Sequence, residues 1–144
     1  MIYSITKIII EIMKENCIIA LMIALTGIRA GLILGGILPP LSVNSSVNTL
    51  FLLAYIAIIG YTGWSFSGLS LKEAAIKGGI VTLAAVITIY LGLFIGITLH
   101  IPFLGMSFAS QLDLFFSVLF LGIINVMFGA VIALIGAIIG RKLA

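Results

Sequence analysis

Four long stretches of this sequence contain almost no charged side chain, and this feature limits the available folds more than any other. Arg29 is the single Lys, Arg, Asp or Glu within them. Each stretch is long enough to cross a hydrocarbon core of about 30 Å as a helix rising about 1.5 Å per residue. The sequence therefore predicts an all-α, polytopic integral membrane protein with four transmembrane helices. The predicted spans are residues 17–38, 49–67, 79–99 and 114–140.

The segment before the first span has a different pattern. Polar residues recur every three or four positions in residues 1–16, with isoleucines between them. This spacing predicts an N-terminal amphipathic helix that lies in the membrane interface, ahead of a transmembrane domain covering residues 17–144. Two alternatives are open: the segment extends the first span into water, or it is a signal peptide. Glu11 and Glu15, which precede the apolar run, argue against a signal peptide.

The basic residues are confined to alternate connections between the spans. Two precede the first span, two separate the second from the third, and two follow the fourth, whereas the other two loops contain no Lys or Arg. The positive-inside rule predicts that both termini and the loop between the second and third spans face the cytoplasm. The expected location is the plasma membrane. These basic residues are Lys7, Lys14, Lys72, Lys77, Arg141 and Lys142.

Small residues recur along one face of the spans. Because lipid tails are as apolar as leucine, helices associate in a bilayer through close backbone approach, which small residues allow. The pattern predicts glycine-mediated helix packing. The predicted packing glycines are Gly27, Gly31 and Gly35 in the first span, Gly92 and Gly96 in the third, and Gly122, Gly129, Gly136 and Gly140 in the fourth.

The first and third spans also resemble each other. A shift of 61 residues gives seven identities over residues 14–38, and it aligns Gly31 with Gly92 and Gly35 with Gly96. One interpretation is a parallel duplication of a two-helix hairpin. The other is that two glycine-spaced helices arose independently.

Each span contributes one polar side chain at a similar depth. Arg29 lies nine residues, about 13 Å, below the predicted outer end of its span. Tyr61, Tyr90 and Asn125 have similar predicted depths in the other three spans. We expect these four residues to form a substrate-binding layer near the middle of the membrane, with Tyr61 and Asn125 facing packed protein.

A charge at the centre of a membrane helix costs about 2.5–3.5 kcal/mol on insertion scales, so the presence of Arg29 needs an explanation. Three interpretations are open. Guanidinium groups pair well with carboxylates and phosphates, so Arg29 binds an anionic solute or a lipid headgroup. Alternatively it bonds backbone carbonyls and Asn125, fixing the helix register, or it docks on a partner subunit. Asp113 is the candidate counter-ion within the chain. Arg29 and the glycines lie on opposite faces of the first span, which predicts an oligomer.

Several function classes are disfavoured by the composition. No Asp, Glu or His lies inside a span, and the five such residues are scattered along the chain with a single cysteine, Cys17. This argues against catalytic residues, a metal site, a bound cofactor and proton relays. The net charge of +3 is spread along the chain without a basic cluster, which argues against binding to nucleic acid.

The sequence therefore predicts a non-enzymatic, small oligomeric channel or transporter for an anion or a small polar solute. Its expected partners are membrane lipid and either further copies of itself or other membrane subunits. The alternative is a structural subunit of a larger membrane complex, held by glycine packing. The overall pattern is typical of small prokaryotic four-span membrane proteins.

Overall fold

The fold is a bundle of four long helices. The computed structural model describes residues 2–105, 108 and 110–143 of the chain, and in residues 2–5, 7 and 8 only the backbone. Each helix is long and apolar enough to cross a membrane, which confirms the all-helical class and the number of candidate spans. The helices are α1 (Ile2–Leu34), α2 (Ser46–Ser65), α3 (Leu71–Thr98) and α4 (Gln111–Leu143).

The first helix differs from the prediction at its N-terminal end. α1 runs without a break from Ile2 to Leu34, so no boundary separates an interfacial helix from the first span at residue 16. Continuous backbone hydrogen bonding is the physical reason, since residues 1–16 contain no Gly or Pro that would interrupt it. This geometry matches the alternative in which the segment extends the first span.

The C-terminal ends of α1 and α3 lie at the same end of the bundle and terminate in the same way. This end is named the outer end, after the orientation predicted from the sequence. After α1, Gly36 has a φ of 71° and the Ile37 N–H donates to the Leu32 carbonyl at 2.9 Å. After α3, His100 has a φ of 60° and the Ile101 N–H donates to the Gly96 carbonyl at 2.8 Å. Both ends are Schellman motifs, which require one residue in the left-handed backbone conformation. Glycine adopts this conformation more readily than histidine does. α1 therefore ends four residues earlier than the predicted boundary at Leu38.

The helices do not pack equally against one another. α4 packs extensively against α2 and α3, and α1 packs against α3, whereas α1 and α2 touch at few positions. The two hairpins are therefore packed differently, and the duplication proposed from the sequence stays a prediction. The loose contact between α1 and α2 leaves a groove along one side of the bundle.

The glycines of α4 lie where other helices approach closely. A methyl group added at Gly129 would overlap the Thr82 side chain of α3, and one at Gly122 would overlap the Tyr90 hydroxyl. Nearer the C-terminus of α4, a methyl group added at Gly136 would overlap the Gly60 carbonyl of α2. Gly140 similarly adjoins the Trp64 ring. α4 is thus the central helix, with one half of its glycine face against α3 and the other against α2.

The glycines of α1 are placed differently. A methyl group added at Gly27 or Gly31 would meet no atom within 4 Å, and one at Gly35 would meet only the helix's own end. Gly31 and Gly35 are exposed. Among the described residues of one chain, Gly27 and Gly31 therefore pack against no other helix, because α1 turns its larger side chains toward α3. Packing of this face against a second chain stays a prediction.

The two outer loops pair with each other and bring one aromatic side chain into the bundle. The N–H groups of Leu41 and Ser42 donate to the carbonyls of Phe103 and Leu104, both at 3.1 Å. Phe103 is only 2% exposed, and its side chain lies against Gly92 and Gly96 of α3. These two glycines make room for a loop side chain and also lie close to α1, at Ala30 and Leu34.

Basic side chains gather at the opposite end of the bundle, around the C-terminus of α2. Lys14 Nζ donates to the Ser65 carbonyl at 2.9 Å, and Arg141 Nε donates to the Ser67 carbonyl at 3.0 Å. Lys77 pairs with Glu15 and lies over the Phe66 ring, with its Nζ 4.7 Å from the ring centroid. Cations are stabilised at the C-terminal, negative end of a helix dipole.

Candidate functional site

Arg29 is buried between α1 and α2 at the outer end of the bundle. It lies five residues, about 7.5 Å, before the end of α1, and its side chain is 9% exposed. Its Nη2 donates to Asn48 Oδ1 at 3.0 Å. Because Asn48 is in the first turn of α2, Arg29 is nearer to the helix ends than the depth expected from a span ending at Leu38.

Asn48 is held so that its oxygen faces the guanidinium. Its Nδ2 donates to the Pro40 carbonyl at 3.1 Å and to the Val43 carbonyl at 2.8 Å. With both amide hydrogens committed to the loop, Oδ1 is turned toward α1. Its backbone N–H also donates to Ser45 Oγ, the cap of α2, at 3.1 Å. Asn48 thereby joins Arg29, the α1–α2 loop and the start of α2.

Two aromatic rings from α2 complete the surroundings of Arg29. The Cζ atom of Arg29 lies 5.7 Å from the ring centroid of Phe51 and 5.7 Å from that of Tyr55. At this range the negative faces of aromatic rings attract a guanidinium, and the attraction is stronger in a desolvated site. The Tyr55 hydroxyl is buried without a hydrogen-bond partner in the described part of the chain.

The positive charge at this site is not neutralised by the protein. Among the described residues the one ion pair joins Lys77 to Glu15, at the other end of the bundle. Asp113, the counter-ion candidate from the sequence, makes no ion pair with Arg29. The Nε–H of Arg29 is buried and unpartnered, so its donor capacity is incompletely used. The N-terminus of α2 adds the positive end of a helix dipole nearby. A buried cation with spare donors beside a helix N-terminus suits an anion.

The four residues of the predicted polar layer fall into separate places. Tyr61 is 48% exposed and, with Lys14, lines a groove of about 580 Å³ between α1 and α2. Tyr90 and Asn125 line a different cavity, of about 220 Å³, between α3 and α4. The expectation of a single layer is therefore wrong.

Tyr61 and Asn125 also differ from the prediction in what they face. Both are exposed in the single chain, and Asn125 bonds its own helix through the Leu121 carbonyl at 2.8 Å. Tyr90, by contrast, reaches across to α4 and donates to the Val118 carbonyl. The prediction that Tyr61 and Asn125 face packed protein assumed that the small-residue stripes fix the inner face of every helix, and they do not.

Sequence reasoning missed the residues that surround Arg29. The predicted second span begins after Asn48, whereas the structure places Asn48 in the first turn of α2, three residues after the capping serine Ser45. Phe51 and Tyr55 follow it by three and seven residues, the spacing that places side chains on one helix face. This spacing, read together with the lone arginine, is the signal that would have identified the site.

Comparisons with protein-family models, curated proteins and solved structures give no match for this chain.

Proposed function

We propose that the protein is a small membrane channel or transporter that binds an anion at Arg29. The observation that carries the proposal is the buried guanidinium that forms no ion pair. An uncompensated charge in a low-dielectric site is costly, and one neutral amide and two rings offset only part of that cost. An anion with acceptor oxygens, a carboxylate or a phosphate, satisfies both the charge and the unpartnered Nε–H.

The arrangement of α1 and α2 supports passage as well as binding. The two helices make little contact, and the groove between them contains Tyr61 and ends near Lys14 at the basic end of the bundle. A cation therefore lies toward each end of this side of the protein, Arg29 at one and Lys14 at the other. Positive groups at both ends attract anions from either face of the membrane.

The proposal includes an orientation. The basic end of the bundle faces the cytoplasm, so that both termini are cytoplasmic and Arg29 is nearer the outer surface. Lys14, Lys77 and Arg141 all reach the C-terminus of α2, which supports placing them on one side of a membrane.

Flux through reconstituted liposomes tests the function. Liposomes loaded with radiolabelled phosphate or chloride should release at least one of these anions faster with the protein than without it. Arg29→Leu should slow this release roughly 10- to 100-fold, the equivalent of losing a charged hydrogen bond worth about 1.5–3 kcal/mol. Arg29→Lys should retain part of the release, because the charge is kept and the planar donor array is lost.

A charge-matched control separates site binding from a general field effect. Lys142→Leu removes one positive charge from the exposed end of α4, away from Arg29, and should leave the release unchanged. Absence of anion release by the wild-type protein, or wild-type release by Arg29→Leu, would refute the proposal.

A second candidate function is a structural subunit of a larger membrane complex. One observation favours it: Ala20, Ala24 and Gly31 form an exposed small-residue face on α1, and a methyl group added at Gly31 would meet no described atom within 4 Å. Such faces allow close approach of a partner helix. Native mass spectrometry of protein gently extracted from its own membranes distinguishes the two, since a homo-oligomer without other subunits would argue against this second function.

A further inference from the structure

Asn125 presents an amide to the surroundings at the middle of α4. The helix covers 33 residues, about 50 Å, and Asn125 is two residues from its midpoint. A hydrocarbon core of about 30 Å centred on this helix therefore encloses the side chain completely. Asn125 is nevertheless exposed on the surface of the single chain.

The hydrogen bonds of this amide are incomplete. One Nδ2 hydrogen is donated to the Leu121 carbonyl at 2.8 Å, and no described residue donates to Oδ1. Thr82 and Thr88, polar residues in the middle of α3, donate their hydroxyl hydrogens to backbone carbonyls at 2.9 Å and so leave no unpaired donor. Lipid tails supply neither donors nor acceptors, so the second Nδ2 hydrogen and the oxygen of Asn125 lack partners in hydrocarbon.

We propose that the face of α4 centred on Asn125 is the interface at which two copies of this chain associate. A carboxamide has donors and an acceptor in one plane, so two copies related by a two-fold axis can exchange two N–H···O bonds. In this interface the second Nδ2 hydrogen and the Oδ1 atom of each Asn125 bond to the Asn125 of the other copy. Leu121 and Phe128, exposed one turn on either side, lie on the same face and pack across the axis.

The same pairing explains why a second copy is the occupant. A lipid acyl chain fits the neighbouring apolar cavity but offers no hydrogen bond to the amide. A second Asn125 supplies a donor for its oxygen and an acceptor for its free Nδ2 hydrogen. The interface is independent of the proposed anion function. Among the described residues, no Cα atom of α4 lies within 8 Å of one in α1, and the Arg29 site lies between α1 and α2.

Single-molecule photobleaching of labelled protein in liposomes tests this interface at defined protein-to-lipid ratios. We expect wild type to bleach predominantly in two steps at ratios where Asn125→Leu bleaches in one. Two hydrogen bonds between membrane helices correspond to a weakening of the dimer by roughly tenfold. Asn125→Gln, which keeps the amide, should dimerise within about threefold of wild type.

Two controls keep the result specific. Met127→Leu changes an exposed residue on a different face of α4 and should leave the dimer fraction unchanged. Arg29→Leu should also leave it unchanged, so a failure of the anion proposal does not affect this test. One-step bleaching of the wild type at every ratio, or an equal dimer fraction for wild type and Asn125→Leu, would overturn the proposal.

Discussion

Replacing Gly63 with alanine should lower the free energy of unfolding by about 3 kcal/mol, at the upper end of the usual cost of overpacking. Gly63 is buried on α2 at its crossing with α4, and an added methyl group would overlap the Ala133 backbone carbonyl. A backbone group cannot rotate away as a side chain can. The two helices must therefore separate, and this loosens the adjacent contact between Gly60 and Gly136.

The single tryptophan reports on this crossing. Trp64 follows Gly63 directly and adjoins Gly140 of α4, so its fluorescence should change when the two helices part. Unfolding in mild detergent, monitored through this fluorescence, measures how much the free energy of unfolding decreases. Gly31→Ala is the matched control: an alanine at this open position should preserve stability or raise it by up to about 1 kcal/mol. Equal stability of the two variants would show that α2 and α4 do not meet at Gly63.

Replacing Phe103 with alanine should cost about 3–5 kcal/mol, because it leaves a cavity the size of a phenyl ring in the outer half of the bundle. The side chain fills the space above Gly92 and Gly96, and it belongs to the same buried cluster as Ala30 of α1. It thereby joins the α3–α4 loop to two helices. Its loss should also loosen the paired outer loops, since the Leu41 N–H donates to the Phe103 carbonyl.

The same unfolding measurement compares Phe103 with an exposed phenylalanine. Phe94 lies on the same helix as the two glycines but is 70% exposed, so Phe94→Ala removes no packed ring. We expect its cost to be under about 1 kcal/mol. If both alanine variants unfold at the same denaturant concentration, Phe103 does not occupy the interior position described above.

The sequence predicted the number and approximate limits of the helices because apolar length can be read along the chain. It also predicted the glycine face along which α4 packs, but it did not distinguish that face from the open glycine face of α1. In a membrane protein both the packed face and the lipid face are apolar, so a glycine stripe looks the same in either position. Gly129 meets Thr82 at a helix crossing, whereas Gly31, in a similar stripe, faces open space.

Only part of the candidate site could be predicted from the sequence: Arg29 could, whereas its partner could not. A lone arginine in an apolar span stands out in any sequence, but the counter-ion candidate named from the sequence, Asp113, forms no ion pair with Arg29. Its actual partner, Asn48, depends on how the loop of residues 35–45 returns the chain to α2. That path is set by the Gly36 turn and the Asn48 bonds to Pro40 and Val43, none of which periodicity encodes.

The anion proposal and the Asn125 interface both require that the bundle spans a bilayer, and the proposed orientation places its basic end in the cytoplasm. Single cysteines in a Cys17→Ser background test this with a membrane-impermeant maleimide. Asn44→Cys lies in the exposed outer loop, and Gly68→Cys lies in the exposed loop between α2 and α3. On intact cells we expect labelling of Asn44→Cys only, with Gly68→Cys labelled after permeabilisation. Labelling of both before permeabilisation, or of Gly68→Cys alone, would contradict the account.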